Sequence, residues 1–183
     1  MNYIAVDTSG RHLTLIAKKN GRNLSLFEPD CGVDMKLSDA DFFACAVGAG
    51  SFTGIRIGVA TVKALAFANN KPVLKITSFD TLAYNIDSGK VLSVIDAKHN
   101  GFYVCPYDNG AAGKAEYVPR ERLAEFKDYL FVSGEKIEGL DTLIVSCEKG
   151  FKRAIEIKAG EITDDINSLA PLYVRKSQAE EGR

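Results

Sequence analysis

Two aspartates, Asp7 and Asp96, have the spacing in this sequence that would best suit chemistry. Each ends a short apolar segment typical of a β-strand, and in a fold with two lobes the two carboxylates could face each other across a cleft. That arrangement suits phosphate and Mg²⁺ in nucleotide-cleaving folds. The alternative interpretation is that each aspartate caps the turn that follows it, which involves no chemistry. Both interpretations are open at this point.

A glycine-rich segment, GAGSFTG at residues 48–54, lies between an apolar run and a helical pattern. A strand, a glycine turn and a helix in this order can bind phosphate. Here the third glycine comes one residue too late for G-x-G-x-x-G, and no lysine follows Gly54 as a P-loop requires. We therefore expect a tight turn with close backbone packing, and a helix capped by Ser51 or Thr53. The residues assigned this structural role are Gly48, Gly50, Ser51, Phe52, Thr53, Gly54, Arg56 and Gly58.

The sequence does not match the other common motifs of catalytic or metal-binding sites. Ser51 lacks the flanking glycines of G-x-S-x-G, so we do not assign it as a catalytic nucleophile. His12 is expected in or beside the second strand and His99 by a turn, so the two histidines lie in different halves and form no H-x-x-x-H pair. The four cysteines have no C-x-x-C spacing, which favours neither a zinc site nor a disulfide framework. We predict no catalytic, cofactor-binding or metal-binding residue.

The helical pattern from Ile55 to Ala68 has two apolar faces, where an ordinary surface helix has one. Its first face consists of Ile55, Val59, Val62 and Ala66. Its opposite face, called the second face below, consists of Ile57, Ala60, Ala64, Phe67 and Ala68. Arg56 and Lys63 form a narrow polar seam between the two faces. Either the helix is sandwiched inside its own domain, or the second face binds another chain.

Composition narrows the class of protein. A chain of 183 residues suggests one or two domains, and an apolar content of 46% is ample for a core. With a net charge of −1 the chain has no excess of positive charge, so on its own it should bind nucleic acid or an acidic membrane poorly. We expect a cytoplasmic protein, because no secretory signal opens the sequence and no apolar run approaches transmembrane length.

The opening pattern of the chain returns in its second half. Asp7 and Asp96 are separated by the same offset as the turn signals Asn20-Gly21 and Asn109-Gly110. We predict an α/β fold with a duplicated three-strand meander plus strand–helix units, arranged as lobes 1–88 and 89–183. The strands of the two meanders are predicted at 3–6, 12–17 and 23–27, and at 91–95, 102–107 and 115–118.

The remaining elements follow from apolar spacing. Strands are predicted at 42–47, 71–75, 130–133 and 142–147, and helices at 79–86, 120–129 and 151–157.

A duplicated meander whose copies each open with an aspartate is similar to the actin/sugar-kinase/Hsp70 fold. The segment from Gly48 to Ala83 resembles the signature of the TsaB (YeaZ) family, G-P-G-S-F-T-G-L-R-I-G followed by an Ala-rich helix. Residues 4–9, IAVDTS, resemble the opening strand of that family. Residues 95–98, IDAK, resemble its I-D-A-R, and residues 171–175, PLYVR, resemble its closing P-x-Y-L-R.

This resemblance implies a function. TsaB proteins are partners in making threonylcarbamoyladenosine at position 37 of tRNA. The related TsaD transfers the threonylcarbamoyl group, and an ATPase, TsaE, joins the complex. TsaB is regarded as non-catalytic, so the resemblance implies a scaffold without a cofactor that meets tRNA only through the complex. TsaD carries a metal-binding H-x-x-G-H that this chain lacks.

One segment departs from the family pattern. Family members usually have a helix containing H-S-x-x-L-L-P before the segment that here begins at Leu37. Residues 27–36 are too few for that helix. In the family, this helix and the one that corresponds to Ile55–Ala68 help to form a helix bundle with TsaD. Loss of the H-S-x-x-L-L-P helix would leave the second face less covered by the rest of this chain.

Three alternative interpretations of the chain remain open. The first is a small phosphotransferase of the same fold, with Asp96 as base and Asp7 near Mg²⁺. The second is a peptidase, because the wider family has been grouped with putative glycoproteases. The third is a homodimer in which the second face pairs with itself.

Overall fold

The structure is a computed structural model that describes residues 1–11, 13–25, 35–98 and 100–175. The chain forms two compact units. The first combines Met1–Thr77 with Ile155–Pro171, and the second combines Ser78–Ala154 with the segment from Leu172. Each unit is thus discontinuous in sequence. The division into lobes 1–88 and 89–183 stays a prediction.

The first unit is built on a five-stranded sheet in the order β3-β2-β1-β4-β5. Its strands are β1 Tyr3–Asp7, β2 Thr14–Lys19, β3 Arg22–Ser25, β4 Phe42–Ala46 and β5 Val73–Ile76. The first three strands run antiparallel, whereas β1, β4 and β5 are parallel. Every residue of β1 and β4 is buried, as expected for central parallel strands.

Helix α1, Phe52–Asn69, follows the glycine-rich segment and packs against β4 and β1. The Gly54 N–H donates to the Ser51 hydroxyl at 3.2 Å, so Ser51 is the N-cap, and Asn70 ends the helix in a left-handed conformation. The first face of the sequence pattern is the buried one, together with Gly58. The segment that returns to this unit pairs with β5 through Val73 and Thr163.

The second unit is built on a six-stranded sheet in the order β11-β10-β6-β7-β8, with β9 also paired to β7. Its strands are β6 Lys90–Asp96, β7 Gly101–Asp108, β8 Ala111–Ala112, β9 Glu116–Pro119, β10 Leu130–Ser133 and β11 Leu143–Ile144. Helix α2, Ser78–Ala83, is wholly buried. Helix α3, Cys147–Ile157, follows β11, and its last three residues belong to the first unit.

The two sheets share one topology, which confirms the predicted duplication. β1 and β6 each pair antiparallel with the next strand, and parallel with β4 and β10 respectively. β5 and β11 then extend the two sheets in parallel on the same side. The copies differ in two respects. β2 pairs on its outer side with β3, whereas β7 pairs with both β8 and β9. Helix α1 connects β4 to β5, whereas only nine residues connect β10 to β11, which is too few for a comparable helix.

Two predicted elements of the second unit are wrong in kind or extent. Residues Arg120–Phe126 form a 3-10 helix instead of an α-helix. The Arg120 guanidinium donates to Asn100 Oδ1 at 2.8 Å and to the carbonyl oxygens of Glu138 and Gly139 at 2.9 and 2.8 Å. These long-range bonds, which no local pattern shows, anchor the start of the segment.

The predicted strand at 142–147 is shorter, because a helix begins inside it. Only Leu143 and Ile144 pair as a strand, and α3 begins at Cys147. The Lys149 N–H donates to Ser146 Oγ at 3.2 Å, a bond of the kind that caps a helix N-terminus. The predictions for His12, His99 and residues 26–27 lie outside the described residues.

Candidate protein-interaction surface

The glycine-rich segment lies directly on the loop that follows β1. The Ser51 N–H donates to the Ser9 carbonyl oxygen at 2.8 Å. A Cβ atom at Gly50 would overlap that same oxygen, and a Cβ at Gly54 would overlap the carbonyl oxygen of Thr8. Gly50 also has φ of +150°, which side chains rarely adopt. Close backbone approach therefore requires glycine at both positions.

Thr8 joins the same loop to the first turns of α1. Its hydroxyl donates to the Gly54 carbonyl oxygen at 2.6 Å. A Cβ at Gly58, one turn later, would overlap the Thr8 hydroxyl oxygen. The Thr8 hydroxyl and the Ser9 carbonyl oxygen are thus hydrogen-bonded to α1 and its cap, and the Thr8 carbonyl oxygen packs against Gly54. This packing determines where α1 lies on the sheet.

Asp7 is buried at the end of β1 and caps the turn that follows. Its Oδ1 atom accepts from the Ser9 N–H at 2.8 Å and from the Ser9 hydroxyl at 2.6 Å. Burial raises the pKa of the Asp7 carboxyl, although the two bonds from Ser9 oppose the rise. Burial and the charge of Asp7 also raise the pKa of the Cys45 thiol to about 12.

Asp96 lies at the end of β6, the position that corresponds to Asp7 at the end of β1, but its surroundings differ from those of Asp7. Its carboxylate accepts from the Lys98 N–H and from the Lys98 Nζ, both at 2.8 Å. Burial works to raise the pKa of Asp96, but the bonds from Lys98 and the charges of Lys98 and Arg120 outweigh it, so this pKa is lowered. Each aspartate therefore caps a turn. The expectation that they face each other across a cleft stays a prediction.

Metal binding and membrane insertion each require a feature that the described residues lack. Within residues 1–11, 13–25, 35–98 and 100–175, no three His, Cys, Asp or Glu side chains are grouped so that they could hold a metal ion. In the same part of the chain, no helix has both the length and the apolar character to cross a membrane.

The second face of α1 is exposed along its whole length in the first unit. Ile57 is 56% exposed and Phe67 is 77% exposed, which is unusual for large apolar side chains on a helix. Ala60, Ala64 and Ala68 are exposed between and beside them. Two large side chains flanking a row of alanines leave room for another helix to approach closely.

The charged residues of α1 itself have one sign. Helix α1 contains no acidic residue, and its charged residues are Arg56 and Lys63. Arg56 is exposed and lies over the Phe52 ring, 5.9 Å from the ring centroid. A partner that fits this surface would be apolar at its centre and acidic at the rim.

One exposed apolar residue in a segment that contacts α1 is not among those predicted from the sequence. Leu37 is 43% exposed and begins the 3-10 helix Leu37–Asp39, which contacts α1. It follows a polar, aspartate-containing stretch, and a lone apolar residue before the strand at Phe42 is the only local signal that could have marked it.

Known proteins resemble this chain in sequence. The family model "TsaD: tRNA N6-adenosine threonylcarbamoyltransferase" matches residues 31–141. The tRNA threonylcarbamoyladenosine biosynthesis protein TsaB of Bacillus subtilis (strain 168) is 33% identical over 179 residues, covering 82% of this chain and 76% of that protein. The protein of the same name from Escherichia coli (strain K12) is 31% identical over 81 residues, covering 42% of this chain and 35% of its own length.

Two solved structures resemble this chain in fold. YeaZ from Pseudomonas aeruginosa has a TM-score of 0.71 and 25% identity, covering 94% of this chain and 99% of that one. An uncharacterized protein with similarity to peptidase YEAZ from Pseudomonas aeruginosa has a TM-score of 0.73 and 25% identity, covering 95% and 99%. The two-sheet α/β architecture and the actin-like fold predicted from the sequence are thereby confirmed. On the strength of its sequence relatives and these structures, the chain belongs to the TsaB (YeaZ) family.

Proposed function

We propose that this chain is the non-catalytic partner of a TsaD-like transferase and that the second face of α1 is where the two proteins bind. As a member of the TsaB family, the chain acts in the biosynthesis of threonylcarbamoyladenosine in tRNA. The observation that carries the docking proposal is the exposure of Ile57 and Phe67 on a helix whose opposite face is already packed on its own sheet.

The energetics indicate how large the interface must be. Burying about 400 Å² of apolar surface on a helix face yields roughly 10 kcal/mol at ~25 cal/mol per Å². Association costs about 4–15 kcal/mol. One helix face alone therefore leaves little net affinity, so neighbouring residues must contribute. Leu37, an exposed apolar residue of a segment that contacts α1, is one candidate for extending the contact.

The two aspartates support a non-catalytic role. The Asp7 carboxylate is occupied by Ser9, and that of Asp96 by Lys98. Both arrangements suit turn capping, which involves no phosphate or metal. We further propose that a TsaE-like ATPase and tRNA join through the partner, in the cytoplasm, because the net charge of −1 gives this chain little attraction for RNA.

Co-expression with the TsaD-like protein of the same organism tests the proposal. Size exclusion with light scattering should show a one-to-one complex. Ala64→Glu places a charge in the middle of the second face and should abolish the complex. The matched control is Ala124→Glu, the same change at an exposed alanine of the second unit, which should leave it intact.

Reconstituted tRNA modification separates docking from catalysis. Asp7→Asn and Asp96→Asn should leave the modification rate unchanged, whereas Ala64→Glu should remove the stimulation by this chain. Loss of activity in Asp96→Asn with the complex still formed would favour the phosphotransferase alternative instead.

A further inference from the structure

Two tyrosines lie side by side on one face of the sheet in the second unit. Tyr103 of β7 and Tyr117 of β9 are directly opposite each other in the antiparallel pair, and their ring centroids are 6.1 Å apart. Phe102 and Val118, their neighbours along the strands, belong to the buried core of this unit. Because side chains alternate between the two faces of a strand, both tyrosines point to the face opposite that core, where each is half-buried.

A glycine makes room for the ring of Tyr117. A Cβ atom at Gly101 would overlap the hydroxyl end of that ring. Gly101 is a diagonal neighbour of Tyr117 across the strand pair, a distance that a tyrosine side chain spans. The ring of Tyr117 therefore extends across the sheet, close to the backbone of β7.

The end of the described chain adds a cation to the two rings. The Arg175 guanidinium lies over the ring of Tyr117, with its central carbon 4.6 Å from the ring centroid. This distance gives a favourable cation–π interaction, and Arg175 is exposed. Arg175 ends PLYVR, residues 171–175, a motif that has no part in the docking surface on α1. Tyr103, Tyr117 and Arg175 are called the tyrosine–arginine surface below.

The acidic side chains near these strands lie elsewhere. Asp96 and Glu116 are each directly opposite a residue of the buried core, so both belong to the other face of the sheet. Asp80 accepts a hydrogen bond from the Tyr107 hydroxyl at 2.7 Å and is only 2% exposed. The exposed charge that the structure shows at the two tyrosines, that of Arg175, is positive.

This combination of side chains suits single-stranded RNA. Unpaired bases stack on aromatic rings and on the plane of a guanidinium group, and arginine also binds phosphate. Bases within a duplex are stacked on each other, so a surface of this kind selects a single-stranded segment. A positive charge beside two aromatic rings provides both kinds of contact.

We propose that the tyrosine–arginine surface binds a single-stranded segment of tRNA by base stacking. The inference deepens the proposed role in tRNA modification and rests on it, but it does not depend on the second face of α1. A net charge of −1 gives little long-range attraction for RNA, so the isolated chain binds weakly. Stacking acts at short range and changes affinity by about 5- to 150-fold per base, which makes it a substantial addition to tRNA that a partner holds.

Ultraviolet cross-linking of the isolated full chain tests the inference directly. The probe is a single-stranded RNA of about nine nucleotides at low salt. The chain is used at about 0.5 mM, above the roughly 0.1 mM that marks the weak end of non-specific binding. Mass spectrometry of the cross-linked peptides should place the cross-links at Tyr103 or Tyr117. A duplex of the same sequence should give none at these residues, because its bases are already stacked.

Substitutions measure what the surface contributes to tRNA affinity in the complex with the TsaD-like protein. Tyr117→Leu and Arg175→Ala should each weaken tRNA binding by about fivefold or more. Tyr117→Phe keeps the ring and should bind as the wild type does. Arg122→Ala is the matched control, because it removes the same charge from an arginine that pairs with Glu116 on the other face. It should change the affinity by less than about twofold.

Cross-links confined to other surfaces, or none at all, overturn the inference. Wild-type tRNA affinity in Tyr117→Leu, with folding verified by circular dichroism, also overturns it. If Tyr117→Leu instead weakens binding of the TsaD-like protein without RNA, the surface is a protein interface and the inference is wrong. Ala64→Glu should cross-link to RNA as the wild type does, so this inference and the proposed docking surface can fail independently.

Discussion

The Thr8 hydroxyl donates a hydrogen bond to the Gly54 carbonyl oxygen at 2.6 Å, which connects the end of the first strand to the first turn of α1. Around this bond, Gly50, Gly54 and Gly58 all face the loop at Thr8 and Ser9 at distances that exclude a side chain. The glycines therefore determine how closely α1 approaches β1, and with it the position of the second face.

Gly54→Ala should destabilise the protein by roughly 1–3 kcal/mol, because its new methyl group overlaps a backbone oxygen that cannot move without the strand. Urea unfolding followed by circular dichroism measures this change. Gly10→Ala is the matched control in the same region, since a Cβ there meets nothing within 4 Å. Equal stability of the two variants would show that the contact with Thr8 does not constrain α1.

Asp7→Asn should make the protein more stable than the wild type at pH 7. The buried carboxyl has a raised pKa, so its contribution to stability is greatest below the ordinary Asp pKa of 3.8 and is lost as the pH rises through the raised value. Asparagine keeps an oxygen that can accept from Ser9 without a buried charge. Urea unfolding between pH 4 and pH 8 should show the gain growing with pH, and a gain that shrinks instead would contradict this account.

Asp96→Asn should have the opposite pH dependence. The pKa of Asp96 is lowered, so its ionised form contributes stability above the ordinary pKa of 3.8, and that contribution is lost as the pH falls. The wild type should be modestly more stable than the variant at pH 7 and equal to it near pH 3. The effect is small, because Lys98 is largely exposed to solvent. A difference that persists unchanged at pH 3 would rule out the ion pair as its cause.

Phe67→Ala should weaken binding to the TsaD-like protein by about 2 kcal/mol, or roughly 30-fold, as is typical when an aromatic contact at an interface is lost. Because Phe67 is 77% exposed, the monomer should unfold at the same urea concentration as the wild type. Surface plasmon resonance measures the affinity. Leu130→Ala removes an exposed apolar side chain of the second unit and should bind normally, so a similar loss in both variants would discount Phe67 as an anchor.

The parts of the fold that sequence predicts well depend on neighbouring residues. The strand at Phe42, the glycine turn and α1 are each specified by local patterns. Helical spacing also divides α1 into two apolar faces, but it does not determine which of them is exposed. The duplication was visible because Asp7 and Asp96 recur with the same turn signals. These features needed no knowledge of distant contacts.

Other features depend on contacts between distant segments, and local patterns miss them. The 3-10 helix at Arg120 is anchored by Asn100 and Glu138, far from it in sequence. No local pattern predicts that the 3-10 helix at Leu37 contacts α1. Closure of β5 by Thr163 joins residues 90 positions apart, from 73 to 163, and no sequence pattern marks it.

The most direct test of the central claim is a calorimetric titration of the TsaD-like protein with the wild type, Ala64→Glu and Ala124→Glu. If the second face is the docking surface, Ala64→Glu should raise the Kd by about 100-fold or more, since an unpaired charge would be buried, while Ala124→Glu should change it by less than about threefold. Wild-type affinity in Ala64→Glu, or no binding by the wild type itself, would contradict the account.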